Sequence, residues 1–204
     1  KISYLRGRPE VEVVLSFPAA GAPQIPGVWY TMVLEPGCRP GRVLDQFRSL
    51  WGQGYRGFNL LPAYFIPWSE GELAGLRGCL TALTKVCAGL WRQGQPLRVR
   101  NLELSSPIPL CNDALTADAD GVLYASNLMQ MAGLERAKAV LRRGDVRAAD
   151  APRPDPASAE LLQSLLRDWA GPAAWEATRR VDAALTDFVS ALTEEEPCKA
   201  YQVS

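Results

Sequence analysis

The sequence predicts an α/β fold with mostly parallel strands, a β-hairpin extension and C-terminal helices. Three observations predict it. Short apolar runs at 11–17, 28–34 and 57–61 have the near-continuous character of strands covered on both faces. An amphipathic helical period at 40–52 lies between two of them, making a β-α-β unit whose crossover should be right-handed. After residue 110 the pattern changes to two short β-like runs joined by Asp120-Gly121, followed by helical periods.

Taken in order, 11–17 (VEVVLSF) is β-branched and ends at Pro18, and 19–27 is a loop with two prolines and two glycines. Residues 28–34 (VWYTMVL) form the next strand, closed by Glu35-Pro36-Gly37. In 40–52, Val43, Leu44, Phe47, Leu50 and Trp51 share one helical face, with Pro40 at the first position and glycines at the end. The strand 57–61 follows. Ser69 and Glu72 form a capping box at the start of a long helix whose stripe is Leu73, Leu76, Leu80, Leu83, Cys87 and Leu90. Gly94 and Pro96 end it. Residues 97–104 (LRVRNLEL) resume as a strand at or near a sheet edge, with Leu97, Val99, Asn101 and Glu103 on one side. The runs 113–118 and 121–126 form a hairpin, a short helix covers about 131–142, and 144–157 reads as a linker with three prolines. Asp155-Pro156 opens a helix with the stripe Leu161, Leu162, Leu165, Leu166 and Trp169, and Gly171-Pro172 breaks it. The last helix, about 173–194, carries Thr178, Val181, Leu185, Phe188 and Leu192, and the acidic run from Glu194 into the tail is expected to fray.

Composition narrows the function. Lysine plus arginine and aspartate plus glutamate number 22 each, so there is no electrostatic case for nucleic acid or an anionic membrane. No apolar run approaches the ~20 residues that span a bilayer. The chain opens on Lys1 rather than methionine, which fits processing or a chain cut from a longer protein. Five widely spaced cysteines (38, 79, 87, 111 and 198) argue against a disulfide framework and fit a reducing, cytoplasmic setting. With no histidine, Ser-His-Asp and Cys-His catalysis and imidazole metal sites are excluded.

Ligands of parallel α/β folds bind at the carboxyl ends of strands, so the loop Pro62–Trp68 is the first place to look for a site. Gly52–Gly57 spells G-x-G-x-x-G, but it ends a helix and leads into a strand, the reverse of a dinucleotide fingerprint. Asp118–Gly121 resembles the start of a calcium loop, yet Met129 stands where the twelfth-position glutamate is required. Cys79 and Cys87 sit on or beside a helix stripe and read as core; Cys38 and Cys198 lie in a loop and the tail, without an activating neighbour. Glu35 ends a strand: it is either a solvated loop charge or a group that binds an amine or ribose or acts as a base. Asn59, within an apolar strand, needs partners from backbone or ligand. Ser16, Ser105 and Ser106 fall near strand ends with no general base in sight. Tyr64, Phe65 and Trp68 either stack on a flat ligand or pack the loop on the core.

With these elements in place, residues 10–147 resemble the later part of a radical SAM enzyme. The resemblance is carried by a strand ending in a proline-marked loop, an amphipathic helix, GYRGFNLLP, and a Trp-Ser start to a long helix. PLCNDALTADADGVLYASN then looks like the start of a SPASM or twitch extension, with Cys111 at the first cysteine position, Asp120-Gly121 at the turn and Ser126 in place of the second cysteine. Gly144-Asp145-Val146 is similar to the segment closing that region.

The resemblance implies a partial (half) βα barrel over 1–110, a degenerate SPASM/twitch-like hairpin and helix over 111–147, and a linker and C-terminal helical region over 148–204. The CxxxCxxC that holds the family's 4Fe-4S cluster is absent from the chain. Cys111 alone is a candidate metal ligand, and one thiolate cannot hold a cluster. The resemblance further implies that Glu35, Asn59, Leu60, Leu61 and Pro62 line the S-adenosylmethionine (SAM) side of a cavity and that Tyr64 and Trp68 face a small-molecule or peptide substrate. SAM and the 4Fe-4S cluster would belong to the full-length iron–sulfur oxidoreductase, with neither held by this chain alone, which would not be catalytic. Two other readings are a non-catalytic α/β scaffold, binding a partner chain or a second copy at an open sheet edge, and a small-molecule transferase using the Pro62–Trp68 pocket.

Overall fold

A computed structural model describes residues 14–15, 29–102, 116–117, 120–124, 138–139, 141–145, 147 and 156–195. The loop 19–27, Ser16, Ser105, Ser106, Cys111, Ser126, Cys198 and most of the expected short helix and linker lie outside them. The fold is mixed α/β, with a parallel sheet, a small antiparallel sheet and four helices of two turns or more among the described residues, consistent with a partial α/β barrel. The chain divides into two compact units: Lys1–Tyr64, Trp68–Pro107 and Arg180–Ser204 make one, and Phe65–Pro67 with Ile108–Arg179 the other.

In the first unit four parallel strands lie in chain order: β1 (Val14–Leu15), β2 (Trp29–Leu34), β3 (Gly57–Pro62) and β4 (Arg98–Val99). The β2–β3 ladder is the longest, running from Trp29↔Gly57 to Leu34↔Pro62. Period-two geometry sorts its side chains onto two faces. Tyr30, Met32, Leu34, Phe58, Leu60 and Pro62 form one, all buried. Helix α1 (Pro40–Gly52) covers it, with the Phe47 ring 4.6 Å from that of Phe58. The other, far face carries Trp29, Thr31 and Val33 opposite Gly57, Asn59 and Leu61. Trp29 explains Gly57: a Cβ there would sit 3.0 Å from the indole, so only glycine lets the ring lie flat across the sheet. The guanidinium of Arg98 lies 4.5 Å from the same ring.

Helix α2 (Glu70–Arg92) starts on the expected capping box: Ser69 Oγ accepts from the Glu72 N–H, and Glu72 Oε2 accepts from the Ser69 N–H. By length and composition it is apolar enough to cross a membrane, which corrects the expectation that no such run exists. Its stripe, Leu90 apart, is however buried within this unit, widened beyond the expected one by Cys79, Ala88 and Trp91, and α1 packs against it. The indole N–H of Trp91 donates to the Leu97 carbonyl at 2.8 Å.

The expected strand 97–104 is cut short. β4 has two residues, and Arg100–Leu102 turns as a 3-10 helix. The turn brings Asn101, buried, alongside β3: Leu60 N–H donates to Asn101 Oδ1 at 2.9 Å, and Asn101 Nδ2 donates to the Leu60 carbonyl at 3.0 Å. The side-chain amide thus replaces the next strand residue.

In the second unit, β5 (Thr116–Ala117), β6 (Val122–Tyr124) and β7 (Arg142–Asp145) form an antiparallel sheet. The Asp-Gly turn is as expected: Gly121 has φ 89°, a region glycine enters without strain, and Asp120 Oδ1 accepts from the Val122 N–H. β7 corrects the reading of 142–145 as helix end and linker. Val122↔Asp145 pairing uses backbone groups, which the polar side chains of 142–145 do not advertise. Helix α3 (Pro156–Ala170) places Leu162 and Leu166 in a core with Tyr124 and Leu141, joined by Phe65, Leu165 and Trp175. Trp169, expected on that stripe, is exposed and meets Phe65 edge-on at 5.7 Å.

Helix α4 (Pro172–Glu194) buries all five expected stripe residues. Glu195, next to its end, pairs with Arg92 of α2 at 2.7 Å, and the rest of the tail expected to fray, 196–204, lies outside the described residues.

Replacing Asn101 by leucine leaves both Leu60 backbone groups buried and unpaired. Each such loss costs ~1–3 kcal/mol, so Asn101→Leu should lower the urea unfolding free energy by roughly 2–4 kcal/mol. A loss below ~1 kcal/mol would mean that water or a rearranged backbone restores the pairing.

Candidate functional site

The polar groups of interest in the first unit lie along the β2–β3 ladder and in the loop that follows it. On the far face, Asn59 Nδ2 donates to Thr31 Oγ1 at 3.2 Å, across the rung set by the ladder register. Thr31 is buried and Asn59 half-buried. Asn59 Oδ1 is shielded from solvent and has no hydrogen-bond partner among the described residues. A buried carbonyl oxygen without a donor is costly to leave unmatched, so this atom is the strongest mark of a ligand position on the sheet.

The neighbouring candidates differ. Leu60 points to the helix face, and its N–H and carbonyl both bond Asn101. Leu61 is half-buried on the far face. Pro62 is buried and has no N–H. Beyond the ladder, the Ala63 N–H donates to the Leu34 carbonyl at 2.9 Å, so β2 holds the start of the following loop. Trp68 is buried and its indole donates to the Ala63 carbonyl at 2.9 Å, pinning the loop from its other end. The hydroxyl of Tyr64, half-buried, acts on the Asp182 carboxyl of α4.

Glu35 is exposed at the end of β2. With Arg39, Arg42, Cys38 and Val33 it borders a cavity of about 460 Å³. The ladder sets it apart from the Asn59 rung: it follows Leu34, the partner of Pro62. Cys38 is half-buried, with its Sγ 3.6 Å from that of Cys79.

Three residues of this region escaped the sequence reading. Thr31 is the lone aliphatic hydroxyl in VWYTMVL, and Asn101 the lone amide in a broken alternation; both signals were present. Asp182 adjoins the Val181 stripe position and gave no signal, since its burial comes from long-range packing. That burial raises its carboxyl to about 6, with the Tyr64 hydroxyl acting in the opposite direction. Chemically, the set offers neutral hydrogen-bonding groups on the sheet face and one carboxyl near neutrality beside the loop. Among the described residues, no group of three or more Cys, Asp or Glu is placed to hold a metal ion.

No family model matches the chain, and no curated protein matches it. Among solved structures it is similar to one described as hexahistidine-tagged anSMEcpe with bound AdoMet, with a TM-score of 0.37 and 8% identity. The match covers 83% of this chain and 58% of that one, so the chain spans less than two thirds of that protein's length.

Asp182 makes stability depend on pH in a defined direction. Its folded value, about 6, lies above the ordinary 3.8, so the folded state holds the proton more tightly. The stabilisation is complete below 3.8 and is lost as pH rises through about 6. Urea midpoints of the wild type should therefore fall relative to those of Asp182→Asn across that window and stay offset above it. Parallel profiles would show that Asp182 ionises without cost.

Proposed function

We propose that this chain is the cavity-wall half of a radical SAM iron–sulfur oxidoreductase, contributing SAM and substrate contacts but not the cluster. The motif resemblance over 10–147 supports the family. The single structural observation that carries the ligand reading is the buried, unmatched Oδ1 of Asn59 on the far face of a chain-order parallel sheet. A neutral donor such as an adenine amino group fits that acceptor, and the Asn59–Thr31 bond orients the amide so that Oδ1 is the free end. The cluster does not fit this chain, which has no CxxxCxxC and no suitable ligand group among the described residues.

When bound beside a cluster held by other residues, SAM would supply the hydrogen-abstracting chemistry. The residues of this chain would bind and exclude water: Asn59 and Thr31 at the adenosine side, Leu61 as apolar wall, and Tyr64 with the pinned Pro62–Trp68 loop toward the substrate. Glu35 at the cavity rim would meet an amine or ribose hydroxyl. The absence of a disulfide framework supports a cytoplasmic setting.

The upstream reading frame is the first test: a CxxxCxxC before Lys1 is expected, and a start codon at or near Lys1 would overturn the assignment in favour of a non-catalytic scaffold. In the full-length, reconstituted protein, Asn59→Leu should weaken SAM binding about tenfold, the value of one buried hydrogen bond. Unchanged affinity would remove Asn59 from the site.

A further inference from the structure

The β2–α1 loop rests on α2 unusually closely. A Cβ on Gly75 would stand 3.1 Å from the Cys38 carbonyl oxygen, and one on Gly78 would stand 3.4 Å from Cγ of Pro40. The two glycines make a shelf on the helix, and Cys79 is the next residue along it. Its thiol, fully buried, donates to Cys38 Sγ at 3.6 Å. Cys38 is half-buried and borders the 460 Å³ cavity, so a small reagent reaches it first. Sulfur atoms in contact need to close only ~1.5 Å to reach disulfide bonding distance.

We propose that Cys38 and Cys79 form a thiol–disulfide exchange site for low-molecular-weight disulfides of the glutathione type, with Cys38 attacking and Cys79 resolving. The Cys38 thiolate attacks one sulfur of the external disulfide; that S–S bond breaks, a mixed disulfide forms on Cys38, and the first small thiolate leaves and takes up a proton. Cys79 then gives up its proton and attacks Cys38 Sγ, releasing the second small thiol. The external disulfide gains two electrons, the protein pair loses two, and two thiols are produced.

The order of attack follows from the surroundings. Burial raises both thiols, Cys79 to about 12, while at Cys38 hydrogen bonds from Cys79 and from its own backbone offset part of the rise. The product bond would fasten the loop after β2, next to Glu35, to α2. The site is independent of the SAM reading, since it needs neither a cluster nor an upstream segment.

The test treats the full chain with glutathione disulfide, then counts thiols after denaturation and maps the peptides. The expected result is a loss of two of the five thiols and a Cys38–Cys79 linked peptide. Cys79→Ser should instead lose one thiol and accumulate the glutathione adduct on Cys38, while Cys38→Ser should leave Cys79 reduced. A wild-type chain that stops at the adduct, joins Cys38 to another cysteine, or keeps all its thiols overturns the proposal. The wild-type map decides this even if a serine variant fails to fold.

Discussion

The six-residue register of β2 on β3 is the constraint from which the rest of the first unit follows. Pairing Tyr30 with Phe58 and Met32 with Leu60 builds one apolar face, and α1 is fixed by laying Phe47 against Phe58. The same register puts Trp29 over Gly57 and Thr31 beside Asn59 on the other face. A slip of one residue would exchange the faces. Whichever strand moved would thrust its polar residue, Thr31 of β2 or Asn59 of β3, against α1, and Trp29 would lose its place over Gly57. The polar rung is thus held in place by the apolar rungs around it.

β3 has β2 as a full neighbour on one side only. On the other, β4 ends after two residues, and Asn101 supplies the next pair of hydrogen bonds through its side chain. This substitution releases the chain into its turn without leaving Leu60 unpaired. It also commits the Leu60 backbone, so that the acceptor left without a partner at this level, among the described residues, is a side-chain atom, Asn59 Oδ1. At the carboxyl end, Ala63 and Trp68 fix the two ends of the loop to β2 and to each other. Tyr64 is left to meet Asp182 under conditions that disfavour its charge.

Where local chemistry decides structure, the sequence was legible. Pro40, the Ser69–Glu72 box, Asp120-Gly121 and Gly171-Pro172 each mark a boundary found within a residue or two, because caps and turns depend on neighbours in the chain. The leucine stripes of α2 and α4 were legible for the same reason. The sequence was silent where distant residues decide. β7 is built from Arg142–Asp145 because β6 offers it backbone partners. The strand expected to run through 104 ends at Val99 because Asn101 finds Leu60, forty-one residues back in sequence. At the site, Asn59 was recognisable as an amide misplaced in an apolar strand. Its partner Thr31, the carboxyl of Asp182 and the Cys38–Cys79 contact required the register and the helix packing.

The distribution of charge bears on what such a sheet can do. Glu35, Arg39 and Arg42 stay exposed at its rim, while the groups within it are an amide and a hydroxyl. Neutral groups lose less on burial than charges do, so they can be held dry and in fixed orientation on a sheet face. They bind and orient; they do not supply a base at neutral pH. The proposed reading gives these groups the binding role and leaves the source of reactivity to other residues. Asp182 stands apart from that argument: burial raises its carboxyl to about 6 while Tyr64 acts in the opposite direction, so any role it has runs through Tyr64 and the loop's position, not through the sheet face.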